Sequence, residues 1–234
     1  MVSIAVTGSG RCGTHSVANF LSQRGLLVDG SRPIVKHESN PEKLIKLLLL
    51  GDQDAVLDLV LRWNHEIEVS PYLVFLDNLP RSFRAIAVMR DGRDTIRAGL
   101  RDGWYYESEK DHWSDLQPRV SSDRFENACH FWNWTYRKLL VWDAPIFRLE
   151  DLRTSDKVLQ QLLVESSLIS NGTQLELPHR NKDRIGKIKF KVLKQIDPGP
   201  FSTWTEQQKQ VFEERCGELM DQFYDGWRDD DRAH

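Results

Sequence analysis

The sequence predicts an α/β fold of three layers, a central parallel sheet flanked by helices, and two observations predict it. The first is a set of short, continuous apolar runs at residues 2–7 (VSIAVT), 83–89 (FRAIAVM) and 145–149 (PIFRL), each followed by a helical pattern. Strands buried on both faces read as continuous apolar runs, and strand–helix alternation suits a parallel sheet covered by helices. The second is the glycine-rich turn that joins the first run to its helix, where small residues let the backbone bend tightly.

The elements follow in order. Residues 16–24 (SVANFLSQR) put Val17, Phe20 and Leu21 at helical spacing, with Gly25 as C-cap. Residues 26–28 predict a short second strand. Residues 42–50 and 54–63 predict two helices, the first N-capped by Asn40, and residues 72–79 predict another before Pro80. After the strand at 83–89 comes Arg90-Asp91-Gly92-Arg93-Asp94, then a helix over 95–100. Residues 103–124 are polar and aromatic without a period and read as an irregular excursion near a site. Residues 125–141 predict a long helix. Residues 145–149 predict a strand, after which Glu150-Asp151-Leu152 opens a helix over 156–166. Residues 170–197 read as loop. Residues 205–223 close the fold, with Thr205 as N-cap and Gln208 at the capping-box position. The reading is one domain over residues 1–234, with a frayed tail at 228–234.

Net charge is -3 over 234 residues, so no global basic field argues for nucleic acid or an anionic membrane surface. Cys12, Cys129 and Cys216 lie far apart without a CxxC spacing, which argues against a disulfide framework or zinc site and fits a reducing compartment. The apolar run 44–50 contains Lys46 and stops at Gly51, too short to span a bilayer, and the N-terminus enters a strand without a leader pattern. The expectation is a soluble, cytoplasmic protein with no membrane span.

The segment Gly8-Ser9-Gly10-Arg11-Cys12-Gly13-Thr14-His15-Ser16 carries the chemistry. Such a loop lets the backbone approach an anion, and the following helix offers its unpaired N–H groups and dipole. Gly8 and Gly13 have the spacing of the nucleotide-triphosphate loop G-x-x-x-x-G-K-[ST]. Thr14 stands at the lysine position and His15 at the Mg²⁺-binding Ser/Thr position, while the cation has moved to Arg11. An ordinary ATPase or GTPase is thereby disfavoured.

These residues resemble the sulfotransferases that use 3′-phosphoadenosine-5′-phosphosulfate (PAPS), a family with a P-loop-like α/β fold. Arg11-Cys12-Gly13-Thr14 is similar to the family's loop after the first strand, and Arg90-Asp91-Gly92-Arg93-Asp94 to its second signature. Phe147-Arg148-Leu149-Glu150-Asp151-Leu152 and the aromatic ending Phe223-Tyr224-Asp225-Gly226-Trp227 are weaker matches. The look is nearest to the bacterial and tyrosylprotein-sulfotransferase-like branches. One departure is plain: the family serine that helps hold the 3′-phosphate falls at Ala98.

The resemblance implies metal-independent, in-line transfer of a sulfuryl group from PAPS to a hydroxyl or amine, leaving 3′,5′-adenosine bisphosphate. Arg11 would sit at the leaving phosphate, where an always-charged guanidinium suits the developing charge. Gly10, Cys12, Gly13, Thr14, His15 and Ser16 would cradle the 5′-phosphate, and Arg90 would take the 3′-phosphate. Arg93 is either a second ligand or a salt bridge within its loop. His37 and Glu38 are candidate bases, and Glu68 is a rival whose competing reading is a solvated loop carboxylate. Trp104, Tyr105 and Tyr106 are assigned to the acceptor wall, whereas Trp132, helically spaced from Tyr136, reads as core. The thiol of Cys12, beside Arg11 and a helix N-terminus, is expected to have a low pKa but a structural role. The basic residues from His179 to Lys191 either close over the donor or form a solvated face. The acceptor is a small molecule, a carbohydrate or a peptide. The alternatives are an atypical P-loop small-molecule kinase and a degenerate, non-catalytic domain that binds a nucleotide or a partner.

Overall fold

The computed structural model describes residues 3–25, 35–80, 82–105, 113–168 and 198–229. Among the described residues, five parallel strands form one sheet: β1 (Ile4–Thr7), β2 (Val35–His37), β3 (Ile67–Val69), β4 (Arg84–Met89) and β5 (Ile146–Arg148), in the order β2-β3-β1-β4-β5. The central strand β1 pairs Ile4 with Ile67 on one side and with Arg84 on the other.

Alternate side chains of each strand enter different cores, as the pleat requires. Ile4 and Val6 of β1 and Ile86 and Val88 of β4 face one cluster, shared with α1 (Thr14–Gly25), α6 (Leu149–Thr154) and α7 (Asp156–Glu165). Ala5, Ala85, Ala87 and Met89 face the other. That side is covered by α2 (Pro41–Leu49), α3 (Gln53–Leu61), α4 (Gly92–Arg101), α5 (Arg124–Val141) and α8 (Glu206–Phe223). This is the three-layer α/β arrangement the apolar runs predict. The small alanines on the second face let the long helix α5 lie close over the sheet, and Phe131, Trp132 and Tyr136 of α5 are fully buried there.

Local signals set several boundaries. Thr205 and Gln208 form the reciprocal capping box of α8. Asp91 and Asp123 cap α4 and α5 through their carboxylates. Three expectations are corrected. Asn40 precedes α2 in a left-handed conformation (φ 51°) and makes no side-chain cap; Pro41 supplies the helix start instead. The stretch expected as a helix over 72–79 is a 3₁₀ turn, Pro71–Phe75, because Leu73, Val74, Phe75 and Leu76 are buried all round and leave no polar face for a longer helix. Arg228, expected in a frayed tail, pairs with Asp221 and lies 2.9 Å from Glu213. The strand expected at 26–28 and the basic stretch from His179 to Lys191 lie outside the described residues.

Strands β2 and β3 have no counterpart in the sequence reading; β2 is Val-Lys-His, with a charged residue at its centre. The Ile-Glu-Val sequence of β3 puts a carboxylate at the centre of a three-residue strand, which hides the apolar run. No helix among the described residues is long and apolar enough to cross a membrane.

Candidate functional site

The sheet order creates the crevice. From β1 the chain turns toward β2 on one side, and from adjacent β4 it turns toward β5 on the other. Loops leaving two neighbouring strands in opposite directions open a cleft at their carboxyl ends, where ligands of α/β proteins bind. The loop after β1 is the glycine-rich segment, and the loop after β4 begins at Arg90.

The glycine-rich loop is fixed by close contacts. A Cβ on Gly8 would lie 2.4 Å from the carbonyl oxygen of Val88 in β4, so only glycine fits where the chain leaves the sheet. Gly10 and Arg11 are consecutive left-handed residues (φ 69° and 51°), and Gly13 follows at φ 102°. Consecutive turns of this kind aim successive backbone N–H groups into one concavity, a shape that suits an anion. The carbonyl of Gly13 then accepts from Val17 at 3.0 Å, starting α1. The amides of Thr14, His15 and Ser16 thus belong to the first turn of a helix, where N–H groups lack intrahelical partners. Thr14 and Ser16 are buried and His15 is exposed.

Arg11 departs from ordinary backbone geometry, and its side chain is held in return. Its Nε is 2.5 Å from Asp102 Oδ2 at the C-terminal end of α4. Arg90 is held at the other end of the same helix. Its Nη2 donates to Asp94 Oδ2 at 2.8 Å, and its Nη1 donates to the carbonyl of Arg11 at 3.5 Å. The Nε of Arg90 is buried without a hydrogen-bond partner among the described residues. Arg93 has the other role expected for it: it forms a salt bridge to Asp91 at 2.7 Å and donates to the carbonyl of Trp227 at 2.8 Å. Ala98 is half-buried on α4 and offers no hydroxyl. Arg153, near the end of α6, adds positive charge next to Arg90.

Cys12 is fully buried, and burial pushes its thiol up to about 11, the reverse of the expected lowering. Tyr136 explains the structural part of that expectation. Its hydroxyl donates to the carbonyl of Val88 at 2.9 Å and lies 3.2 Å from Ser9 Oγ, so helix α5 is tied to the carboxyl end of β4 and to the loop.

The aromatic wall is also corrected. Trp104 is fully buried against Gly99, and Tyr105 is buried with its hydroxyl donating to the carbonyl of Asn127 at 3.1 Å; Tyr106 lies outside the described residues. Apolar ring area favours the interior over a loop surface. Trp104 packs edge-on against Trp113, and a Cβ on Gly10 would sit 3.0 Å from Trp113. These rings therefore floor the phosphate loop from inside.

The candidate bases converge at the end of β2. The His37 ring meets the His15 ring edge-on at 4.8 Å, which brings β2 to the start of α1. His37 Nε2 lies 3.5 Å from Glu38 Oε1. Burial, with His15 beside it, lowers His37 to about 4, while burial and the nearby Glu68 raise the carboxyl of Glu38. An open depression of about 470 Å³ lies against the pair, walled by residues 36–40 and 62–65. Glu68 is fully buried at the centre of β3, which removes the solvated-loop reading. It accepts from the Ser39 amide at 2.7 Å and the Ser39 hydroxyl at 2.8 Å, and His65 Nε2 is 2.6 Å away.

The sequence reading did not find Asp102 or His65 as parts of this site. The spacing of a β1 loop residue from a C-terminal residue of α4 carries no local signal. No family model matches the chain, and a comparison of its sequence with curated proteins found no match.

Proposed function

We propose that this chain is a sulfotransferase that moves a sulfuryl group from PAPS to a hydroxyl or amine acceptor. The observation that carries the reading is the pair Arg11 and Arg90, on loops from adjacent strands, 3.5 Å apart between Arg90 Nη1 and the Arg11 carbonyl. A donor with phosphate at both the 5′ and 3′ positions calls for two cationic anchors in one crevice. The residues fit such a donor. The left-handed turn at Gly10 and Arg11 suits a phosphate, and the buried Nε of Arg90, without a hydrogen-bond partner among the described residues, suits a second anion. The loop lacks the Lys and Ser/Thr that a metal-bound triphosphate uses, which weighs against a kinase.

When bound, PAPS supplies an activated S–O bond whose leaving oxygen belongs to a phosphate. Arg11 neutralises charge at that oxygen, in a loop braced by Asp102. Arg90 takes the 3′-phosphate, with Arg153 adding positive field where Ala98 provides no hydroxyl. Glu38 removes the acceptor's proton, since burial and Glu68 increase its proton affinity. His37, lowered to about 4, is neutral at physiological pH and lines the same wall. The acceptor, a small molecule, carbohydrate or peptide, approaches through the depression beside this pair. Three free, buried cysteines suit a reducing compartment, and we place the protein in the cytoplasm.

Isothermal titration with 3′,5′-adenosine bisphosphate, without metal, tests the reading. Binding is expected, with Arg11→Ala and Arg90→Ala each weakening it by roughly tenfold or more. No binding at high micromolar ligand sinks the proposal. Mg²⁺-dependent ATP binding would instead point to a kinase.

A further inference from the structure

A buried carboxylate is costly unless several donors hold it. Glu68 sits at the centre of a parallel strand, between Ala5 of β1 and Lys36 of β2, and is fully buried. Its contacts have a direction. One oxygen accepts from the Ser39 amide at 2.7 Å; the other accepts from the Ser39 hydroxyl at 2.8 Å and lies 2.6 Å from His65 Nε2. The His65 side chain is itself buried, and its ring stacks on Trp63. Two of the three contacts are donated by one residue, Ser39, which immediately follows Glu38.

The turn so gripped is an unusual one. Glu38 and Asn40, on either side of Ser39, both have left-handed backbone (φ 52° and 51°), which non-glycine residues rarely adopt unless the surroundings impose it. The Glu38 amide donates to the carbonyl of Val69, at the end of β3, at 3.1 Å. The turn is thus tied to β3 by both backbone and side chain.

We infer that Glu68 is a positioning residue: anchored by His65, its carboxylate grips Ser39 and so fixes the carboxylate of Glu38 beside His37. The inference rests on the reading of Glu38 as the proton acceptor. Glu68 does not serve as the base itself, because both its oxygens are engaged and none of its surface is exposed. Among the described residues, the charged and titratable groups around Glu38 include Lys36 and His37 on β2, Glu68 on β3, Tyr72 on the turn after β3, His15 on α1 by way of His37, and Arg62 and His65 on the opposite wall of the depression. Burial, and after it the neighbouring Glu68, raises the Glu38 midpoint.

The test is an NMR titration of the Glu38 carboxyl carbon in the full chain, labelled with ¹³C-glutamate and assigned by the signal lost in Glu38→Gln. In Glu68→Gln the Glu38 midpoint is expected to fall by roughly half a pH unit or more, since the grip on Ser39 weakens, the turn opens to water and the neighbouring carboxyl is replaced by an amide. In Ser39→Ala, which keeps the buried Glu68 and His65 contact, a smaller fall is expected as the turn loosens. An unchanged or higher midpoint in folded Glu68→Gln overturns the inference; if that variant does not fold, an unchanged midpoint in Ser39→Ala does so. The base assignment is read separately, from hydrolysis of PAPS to 3′,5′-adenosine bisphosphate and sulfate by Glu38→Gln, with water as the sulfuryl acceptor. A Glu38→Gln chain as active as the parent removes the base reading and leaves the titration result standing.

Discussion

Arg11 Nε and Asp102 Oδ2 are 2.5 Å apart, and this contact ties the phosphate loop to the far end of the helix whose first turn holds Arg90 through Asp94. Helix α4 is therefore a spacer: one carboxylate at each end sets the direction of one arginine. Burial lowers the proton affinity of Arg11 and Asp102 opposes that, while burial raises Asp102 and Arg11 opposes it. Both side chains are about a quarter to a third exposed, so solvent screens the pair. Asp102→Asn is expected to lower stability by about 1 kcal/mol in urea denaturation. It should also weaken 3′,5′-adenosine bisphosphate binding less than Arg11→Ala does. Equal losses would mean that Asp102 meets the ligand itself.

The Tyr136 hydroxyl links α5 directly to the phosphate loop at Ser9 and to the end of β4 at Val88. Tyr136→Phe keeps the ring and removes the hydroxyl that reaches Val88 and Ser9. Loss of about 1 kcal/mol is expected in the denaturation midpoint. A matching drop in bisphosphate affinity would show that loop geometry, and not only stability, depends on that hydroxyl.

Gly13 combines a φ of 102° with a close neighbour, since an added Cβ would lie 2.7 Å from both terminal carbons of Leu149. The leucine tip can move; the backbone angle cannot be kept without strain by an alanine. Gly13→Ala is expected to destabilise the fold by about 1–3 kcal/mol and to abolish measurable bisphosphate binding, as read by thermal unfolding and titration.

Acid should act through His37. Its folded value is about 4 against an unfolded 6.5, so the unfolded chain binds more protons between those values. Stability from this group is whole above pH 6.5 and is lost progressively as pH falls toward 4. His37→Gln, which removes the titrating ring, should flatten the dependence of the urea midpoint on pH across that window. A parent protein equally stable at pH 7 and pH 4.5, with no other group compensating, would contradict the lowering.

Cys12 is expected to resist alkylation in the folded protein at pH 8, because the thiol is buried and pushed up to about 11. Mass spectrometry after iodoacetamide treatment, with and without denaturant, checks this. Rapid labelling of Cys12 in the native chain would count against the buried placement.

Much of the architecture was legible in the chain itself. The runs VSIAVT, FRAIAVM and PIFRL became β1, β4 and β5 because continuous β-branched and apolar residues suit strands covered on both faces. The glycine turn, the loop after β4 and the capping box of α8 were visible because each depends on neighbours in sequence. Strands β2 and β3 were not, since three-residue strands with a central Lys36 or Glu68 show no period. The aromatic residues at 104 and 105 were misplaced for a related reason: composition marks a polar segment as loop, but ring burial is decided by what packs against it.

The sequence by itself determined the layered α/β class, the phosphate-type loop at Gly8 to Ser16 and the arginine at the end of β4, since local pattern and backbone chemistry suffice for each. Tertiary structure alone decided the partners. It brought Asp102 to Arg11, laid Trp113 beneath Gly10, and buried Glu68 between Ser39 and His65. Those pairings join residues far apart in the chain or set on different elements. Their energies come from burial and from satisfying charges removed from water, and both exist only once the layers have closed.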